Sequence, residues 1–172
     1  MLRLLALFLL VFGAMLIEAR RAAANERVQR SRGGIEPRQD VYAFMQVAYP
    51  GVFLAMIGEG LFHPTPSRSV LVLGAIVFLA GKFLKWWAIV ALGPFWTFRV
   101  IVVPGATLVS RGPYRYLRHP NYLGVVGELV GVALVAGAPV AGPLGALLFV
   151  ALMIVRVRIE ERALRQLTHR SR

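Results

Sequence analysis

Cysteine is absent from this 172-residue chain. That excludes disulfides, thiolate metal sites and a cysteine nucleophile. Histidine is scarce. His63, His119 and His169 stand far apart, without the i, i+4 spacing of a helical metal site, so we assign no metal. Acid is scarce too, with eight Asp and Glu against twenty Lys and Arg and a formal net charge of +12. Such an excess of base ordinarily points to nucleic acid. What the chain has in plenty decides otherwise. It is 58% hydrophobic with a mean hydropathy of +0.65, where globular chains lie nearer about 45–50% apolar. The apolar runs are too long for a nucleic-acid-binding module or a soluble helical bundle. The composition reads as an all-α integral membrane protein whose partner is the bilayer and whose positive charge lies in its loops. Internal repeats and low-complexity tracts are absent. So are the matching broken helices expected of a transporter.

Five apolar segments are predicted as helices: Leu4 to Ile17, Val41 to Phe62, Val70 to Leu92, Tyr122 to Ala138 and Val140 to Val155. A span needs about 20 residues, so the shorter segments must borrow flanking residues or thin the bilayer. The first is followed by Arg20 and Arg21 and preceded only by Arg3, the reverse of a signal peptide, although Ala22-Ala23-Ala24 offers small residues for cleavage. We read it as a retained helix. The short connections from His63 to Ser69 and around Pro139 read as antiparallel helix hairpins. Gly127 and Gly131 permit close helix packing.

Five alternating crossings place eighteen of the twenty basic residues on one side, in 18–40, 82–120 and 156–172; only Arg3 and Arg68 fall on the other. Four crossings would split them. The positive-inside rule then puts the N-terminus out and the C-terminus in the cytoplasm. The organisation follows: residues 1–40 as a first helix and basic cytoplasmic loop, 41–92 as the second and third helices, and 93–172 as a cytoplasm-facing region with the fourth and fifth helices and a C-terminal helix. The oligomeric state stays open.

Polar groups inside such segments are expensive and tend to face a cavity. Lys82 and Lys85 read most simply as snorkelling to the interface beside Trp86 and Trp87. Glu59 and Glu128 have shorter side chains, and we place Glu128 toward a cavity. From Leu92 to Gly112, LGPFWTFRVIVVPGATLVSRG carries Pro94, Pro104 and several glycines, so no helix runs through it; Arg99 to Val103 suits extended chain. RGPYRYLRHPNYLG (111–124) follows. Pro120 opens the fourth helix, whose first N–H groups suit an anion such as a carboxylate, and Tyr114, Tyr116 and Tyr122 add aromatic faces. Arg111 and Arg115 read as interfacial anchors. In RVRIEERAL (156–164), Arg156 and Glu160 share one helix face at i, i+4, as do Glu161 and Arg165. Ordinary helix salt bridges explain the second pair. Arg156 and Glu160 emerge directly from an apolar helix, where desolvated charge needs a reason.

GATLVSRGPYRYLRHPNYLG followed about 35 residues later by RVRIEERAL resembles the isoprenylcysteine carboxyl methyltransferase family, over roughly residues 75 to 165. Those are polytopic membrane enzymes that use S-adenosylmethionine. Sterol and steroid reductases of membranes carry a similar RHPNY stretch and bind NADPH. There a Glu commonly follows the glycine, whereas Val125 follows Gly124 here, and the ending Glu160-Glu161-x-x-Leu164 also favours the methyltransferases. A reductase and a non-catalytic membrane protein stay as alternatives. Residues 18 to 45 are similar to bacterial relatives found with type III polyketide synthases, which methylate alkylpyrones or alkylresorcinols.

The resemblance implies a cofactor site of Thr107, Leu108, Val109, Tyr114, His119, Pro120, Asn121, Tyr122 and Glu160, with S-adenosyl-L-homocysteine as product. It implies that Arg156 orients the methyl acceptor, a lipophilic small molecule. We place Glu128 with Arg156 on the substrate side and Glu161 with Arg156 as catalytic. Glu161, Glu128 and His119 all remain open as proton acceptors for a phenol or enol. Where the prenylcysteine enzymes begin this loop with His, Ala106 stands here. The implied setting is a bacterial inner membrane with the site on the cytoplasmic side.

Overall fold

The structure is a computed structural model. It describes residues 1–37, 41–107 and 109–169, with side chains as far as residue 162. Five helices build it: α1 (Leu2–Ser31), α2 (Tyr42–Glu59), α3 (Arg68–Leu92), α4 (Pro120–Ala136) and α5 (Ala141–His169). Short 3-10 turns at Gly93–Phe95 and Gly112–Arg115 interrupt the long α3–α4 connection. Among the described residues there is no strand, and β-pairing is confined to an isolated antiparallel bridge between Ile35 and Val102. The extended reading of Arg99 to Val103 meets that bridge.

Two helices run past their predicted ends. α1 continues through the expected basic loop to Ser31 and, at 30 residues, reaches about 45 Å. Its second half is rich in Ala, Arg and Glu, good helix formers, and Glu26 pairs with Arg30 one turn on at 2.8 Å. α5 likewise runs through RVRIEERAL without a break. α2 ends at Glu59, with Gly60 as its C-cap, and the Glu59 carboxylate accepts the N–H groups of Val140 (3.0 Å) and Ala141 (2.6 Å), capping α5. α4 stops at Gly137, which adopts the left-handed conformation (φ 71°) that glycine reaches without strain.

α4 is the hub and packs on all four other helices. Its tightest partner is α3. A Cβ on Gly124 would lie 2.8 Å from the Gly81 carbonyl oxygen, and one on Gly131 would lie 2.5 Å from the backbone nitrogen of Phe78. The glycines thus bring the two backbones into contact, the packing expected of Gly127 and Gly131. The predicted α2–α3 hairpin needs correction. α2 packs chiefly on α5, α4 and α1 and meets α3 through Tyr49 and Lys85, since the α3 face carrying Gly74, Phe78 and Gly81 is taken by α4.

Successive helices alternate in direction. At one end Arg3 Nη2 donates to the Ala136 carbonyl (3.3 Å) and Glu59 caps α5. At the other, the end of α1, the 93–103 connection, the start of α4 and Arg156 meet. Arg30, Arg99, Arg111 and Arg156, from the three basic stretches, therefore share the second end. Large apolar side chains such as Leu9, Ile17, Val47, Ile76, Leu79, Phe83 and Leu147 face outward, the reverse of a soluble bundle. Leu2–Ser31, Arg68–Phe95 and Ala141–Arg162 are long and apolar enough to cross a membrane, and Pro120–Ala136 is a shorter apolar helix. The chain is an integral membrane protein.

Candidate functional site

Two clusters of buried polar groups lie within the bundle. The first sits at mid-height. Glu18 of α1, Lys82 and Lys85 of α3, Glu128 of α4 and Tyr49 of α2 come together. Lys82 Nζ lies 3.1 Å from Glu18 and 3.0 Å from Glu128. Lys85 Nζ lies 2.7 Å from Glu18 and 3.4 Å from Glu128. Tyr49 donates to Glu128 Oε2 (2.6 Å) and accepts from Lys85 Nζ (3.1 Å). Glu18, Glu128 and Lys85 are 0%, 2% and 3% exposed, so the two lysines do not snorkel. They turn inward because two carboxylates at the same depth balance them, which is the condition for burying charge. Two acids and two bases sum to zero. Glu128 therefore stands in a matched quartet, six residues beyond Tyr122 on α4, or about 9 Å along the helix.

The second cluster lies at the basic end, between α4 and α5. Arg156 is 6% exposed although it sits just past the apolar run of α5. Its Nε donates to the Tyr122 hydroxyl (3.1 Å), which donates onward to Glu160 Oε2 (3.0 Å). Its Nη2 donates to the backbone carbonyl of Phe98. The i, i+4 spacing places Arg156 and Glu160 on one face, and the first turn of α4 brings Tyr122 between them. The ring of His119 stacks on that of Tyr122 at 5.6 Å, and His119 Nε2 is 3.6 Å from Glu161. Trp96 Nε1 donates to Asn121 Oδ1 at 3.4 Å. Tyr114 is half-buried in the 112–115 turn. Burial and the nearby Glu160 carboxylate raise its hydroxyl above the usual phenol range, so it remains a protonated donor.

His119 is the N-cap of α4 but makes no side-chain cap bond, and Pro120 occupies the first turn. The N–H groups of Tyr122 and Leu123 reach only the His119 carbonyl, at 3.2 and 3.4 Å. The start of α4 thus has no side-chain cap of its own, and the Glu160 and Glu161 carboxylates of α5 lie beside it. The structure gathers Tyr114, His119, Pro120, Asn121, Tyr122, Arg156, Glu160 and Glu161 at this end. Thr107 is exposed and Val109 half-buried on the preceding loop. Leu108 lies outside the described residues. Ala106 is exposed, its N–H bonded to the Val103 carbonyl (3.2 Å) in a tight turn at Gly105. Arg111 is more than an anchor, because its Nε donates to the Ala91 carbonyl (3.1 Å) at the negative end of α3. Arg115 lies over the ring of Tyr116.

Sequence reasoning missed Glu18, Asn25, Gln29 and Tyr49. For α1 a signal existed. The buried positions Leu4, Leu7, Val11, Glu18, Ala22 and Gln29 keep steps of three, four and seven along one stripe, so the core-facing stripe runs straight on into polar residues.

Residues 71–166 match the family described as isoprenylcysteine carboxyl methyltransferase. An uncharacterized Bacillus subtilis protein, YpbQ, is 33% identical over 146 residues, 84% of this chain and 86% of its own. An uncharacterized protein of Haemophilus influenzae is 23% identical over 148 residues, 86% of each chain. No solved structure matches.

Proposed function

The chain belongs to the isoprenylcysteine carboxyl methyltransferase family and is a membrane methyltransferase, and on that premise we propose that it transfers a methyl group from S-adenosylmethionine to an oxygen of a lipophilic acceptor. The observation that carries this reading is the Tyr122–Arg156–Glu160 array at the basic end of the bundle. In the proposed setting five helices cross a bacterial inner membrane, the N-terminus is outside, and the array opens to the cytoplasm.

The chemistry of the donor set fits the cofactor. The uncapped start of α4 suits a carboxylate, the Glu160 carboxylate suits an ammonium or sulfonium, and Tyr114 and the stacked His119–Tyr122 pair offer aromatic faces. When bound, S-adenosylmethionine supplies a methyl carbon activated by its sulfonium. The protein's work is then alignment and electrostatics. Arg156 attracts and orients an anionic acceptor oxygen. Tyr122 fixes the separation between Arg156 and Glu160, so that the two opposite charges serve two different groups. Burial against α4 keeps water from the guanidinium.

An ionised carboxylate acceptor needs no base. For a phenol or enol, His119 and Glu161 form the proton acceptor nearest the array, and Glu161 orients the imidazole. Glu128 is assigned to the mid-bundle quartet and not to the acceptor. An alkylresorcinol or alkylpyrone suits the apolar approach through the bilayer.

A thermal-shift comparison of the purified protein with S-adenosylhomocysteine and with NADPH tests the class. Stabilisation by the first alone is expected. Stabilisation by NADPH alone would point to the reductase alternative.

A further inference from the structure

The family match begins at residue 71, so α1 and α2 lie outside it. The strap 93–103 lies inside the match, yet α1 and the residues just after it hold it. Asn25 Nδ2 donates to the carbonyls of Gly93 (3.0 Å) and Trp96 (2.8 Å). Gln29, buried at 1% exposure, donates from Nε2 to the Pro94 carbonyl (3.0 Å). Ile35 and Val102 exchange backbone hydrogen bonds of 2.9 and 3.0 Å. Arg99 of the strap meets Glu36 at 2.7 Å and Glu26 at 3.5 Å, with its guanidinium 4.6 Å from the centre of the Tyr42 ring. The indole of Trp96 is buried beside Ala22 and Ile89.

Apart from the 3-10 turn at Gly93–Phe95 and the bridge at Val102, the strap makes few backbone bonds of its own, so these side chains decide its path. That path ends at the site. The Phe98 carbonyl accepts from Arg156 Nη2, while Tyr122 accepts from Nε of the same guanidinium. Two acceptors on different elements fix the plane of a rigid fork.

We propose that residues 18–36 form a positioning arm for the acceptor side of the site: Asn25 and Gln29 fix the strap, and the strap fixes Arg156. The proposal rests on the role given to Arg156 above. Asn25 and Gln29 are positioning residues, since neither touches the reacting atoms. Small displacements of an orienting group are costly, with about 1 Å worth on the order of a hundredfold in rate. The Trp96–Asn121 bond at 3.4 Å is at the long limit, so the cofactor side should feel the arm far less.

The test uses the full chain in detergent with Asn25→Asp and, separately, Gln29→Met. Aspartate keeps the shape of Asn25 but has no N–H. Methionine keeps the volume and burial of Gln29, which guards against simple misfolding. Trypsin cleavage after Arg99, located by mass spectrometry, should be about tenfold faster in both variants. Methyl transfer is measured on decanoic acid and on a long-chain alkylresorcinol. Its kcat/KM should fall about tenfold while S-adenosylhomocysteine affinity stays within about twofold. Unchanged cleavage would overturn the proposal. So would faster cleavage with unchanged transfer, or a loss of cofactor affinity equal to the loss of transfer, which general loosening would give. If the unsubstituted protein neither binds S-adenosylhomocysteine nor methylates either acceptor, the role given to Arg156 falls with the methyl-transfer reading. The cleavage rates then still decide whether the arm holds the strap.

Discussion

The two polar clusters use the same parts and arrange them differently. Each has a tyrosine between an acid and a base. At mid-bundle, Glu18 and Glu128 face Lys82 and Lys85 and Tyr49 closes the set, so charge is matched and the groups are spent on one another. At the basic end, Arg156 and Glu160 are held apart by Tyr122, beside a helix start with no side-chain cap. Balanced charge buried among four helices fixes their mutual depth. On the proposed reading, opposite charges bridged by Tyr122 beside that helix start suit a ligand that carries both signs. The difference lies in what each group still lacks, since the residue types are nearly the same.

Removing one base separates the clusters most strongly. Lys85→Met leaves Glu18 and Glu128 with surplus buried negative charge and should cost about 3–5 kcal/mol. Thermal unfolding in detergent measures it, and Lys85→Met combined with Glu128→Leu should recover most of the loss. Glu160→Gln at the basic end should stay within about 0.5 kcal/mol in the same assay. Equal costs for the two would erase the distinction. An intermediate effect is expected for Tyr122→Phe. Loss of its hydroxyl removes a partner from both Arg156 and Glu160, worth about 1–2 kcal/mol. Transfer should drop about tenfold with the fold intact, as judged by circular dichroism and turnover together.

The smallest effect concerns the latch over the strap. Burial pushes the Glu36 carboxyl up, but hydrogen bonds from Arg99 and Arg30 outweigh it and hold the group below its ordinary 4.5. A group lowered in the folded state adds stability that is fully present above its unfolded value and is lost as pH falls through the folded one. The latch should therefore hold at neutral pH and loosen only below about 4.5, by less than about 1 kcal/mol. Amide exchange at Ile35 and Val102, corrected for intrinsic pH dependence, reads this directly. Loosening between pH 7 and 5 would contradict the assignment.

Much of this layout was legible from residues alone. Five apolar segments gave five helices, and i, i+4 spacing put Arg156 and Glu160 on one face. Gly127 and Gly131 foretold a close helix contact, and the structure makes it with α3. Helix ends were less legible where they meet distant groups. Glu59 at the end of α2 caps α5, and Asn25 and Gln29 in the second half of α1 bond carbonyls about 70 residues away. Lys82 and Lys85 read as snorkelling because their partners, Glu18 and Glu128, stand on other helices. Hydrophobic period reports which face is buried. It carries no register between helices, and the pairing of charges depends on that register.

Arg156→Ala tests the division of labour at the basic end most directly. Calorimetry with S-adenosylhomocysteine is set beside methyl transfer on the same preparation. The account predicts cofactor affinity within about twofold of the unsubstituted protein and transfer reduced by at least about a hundredfold. Equal loss of both would contradict it.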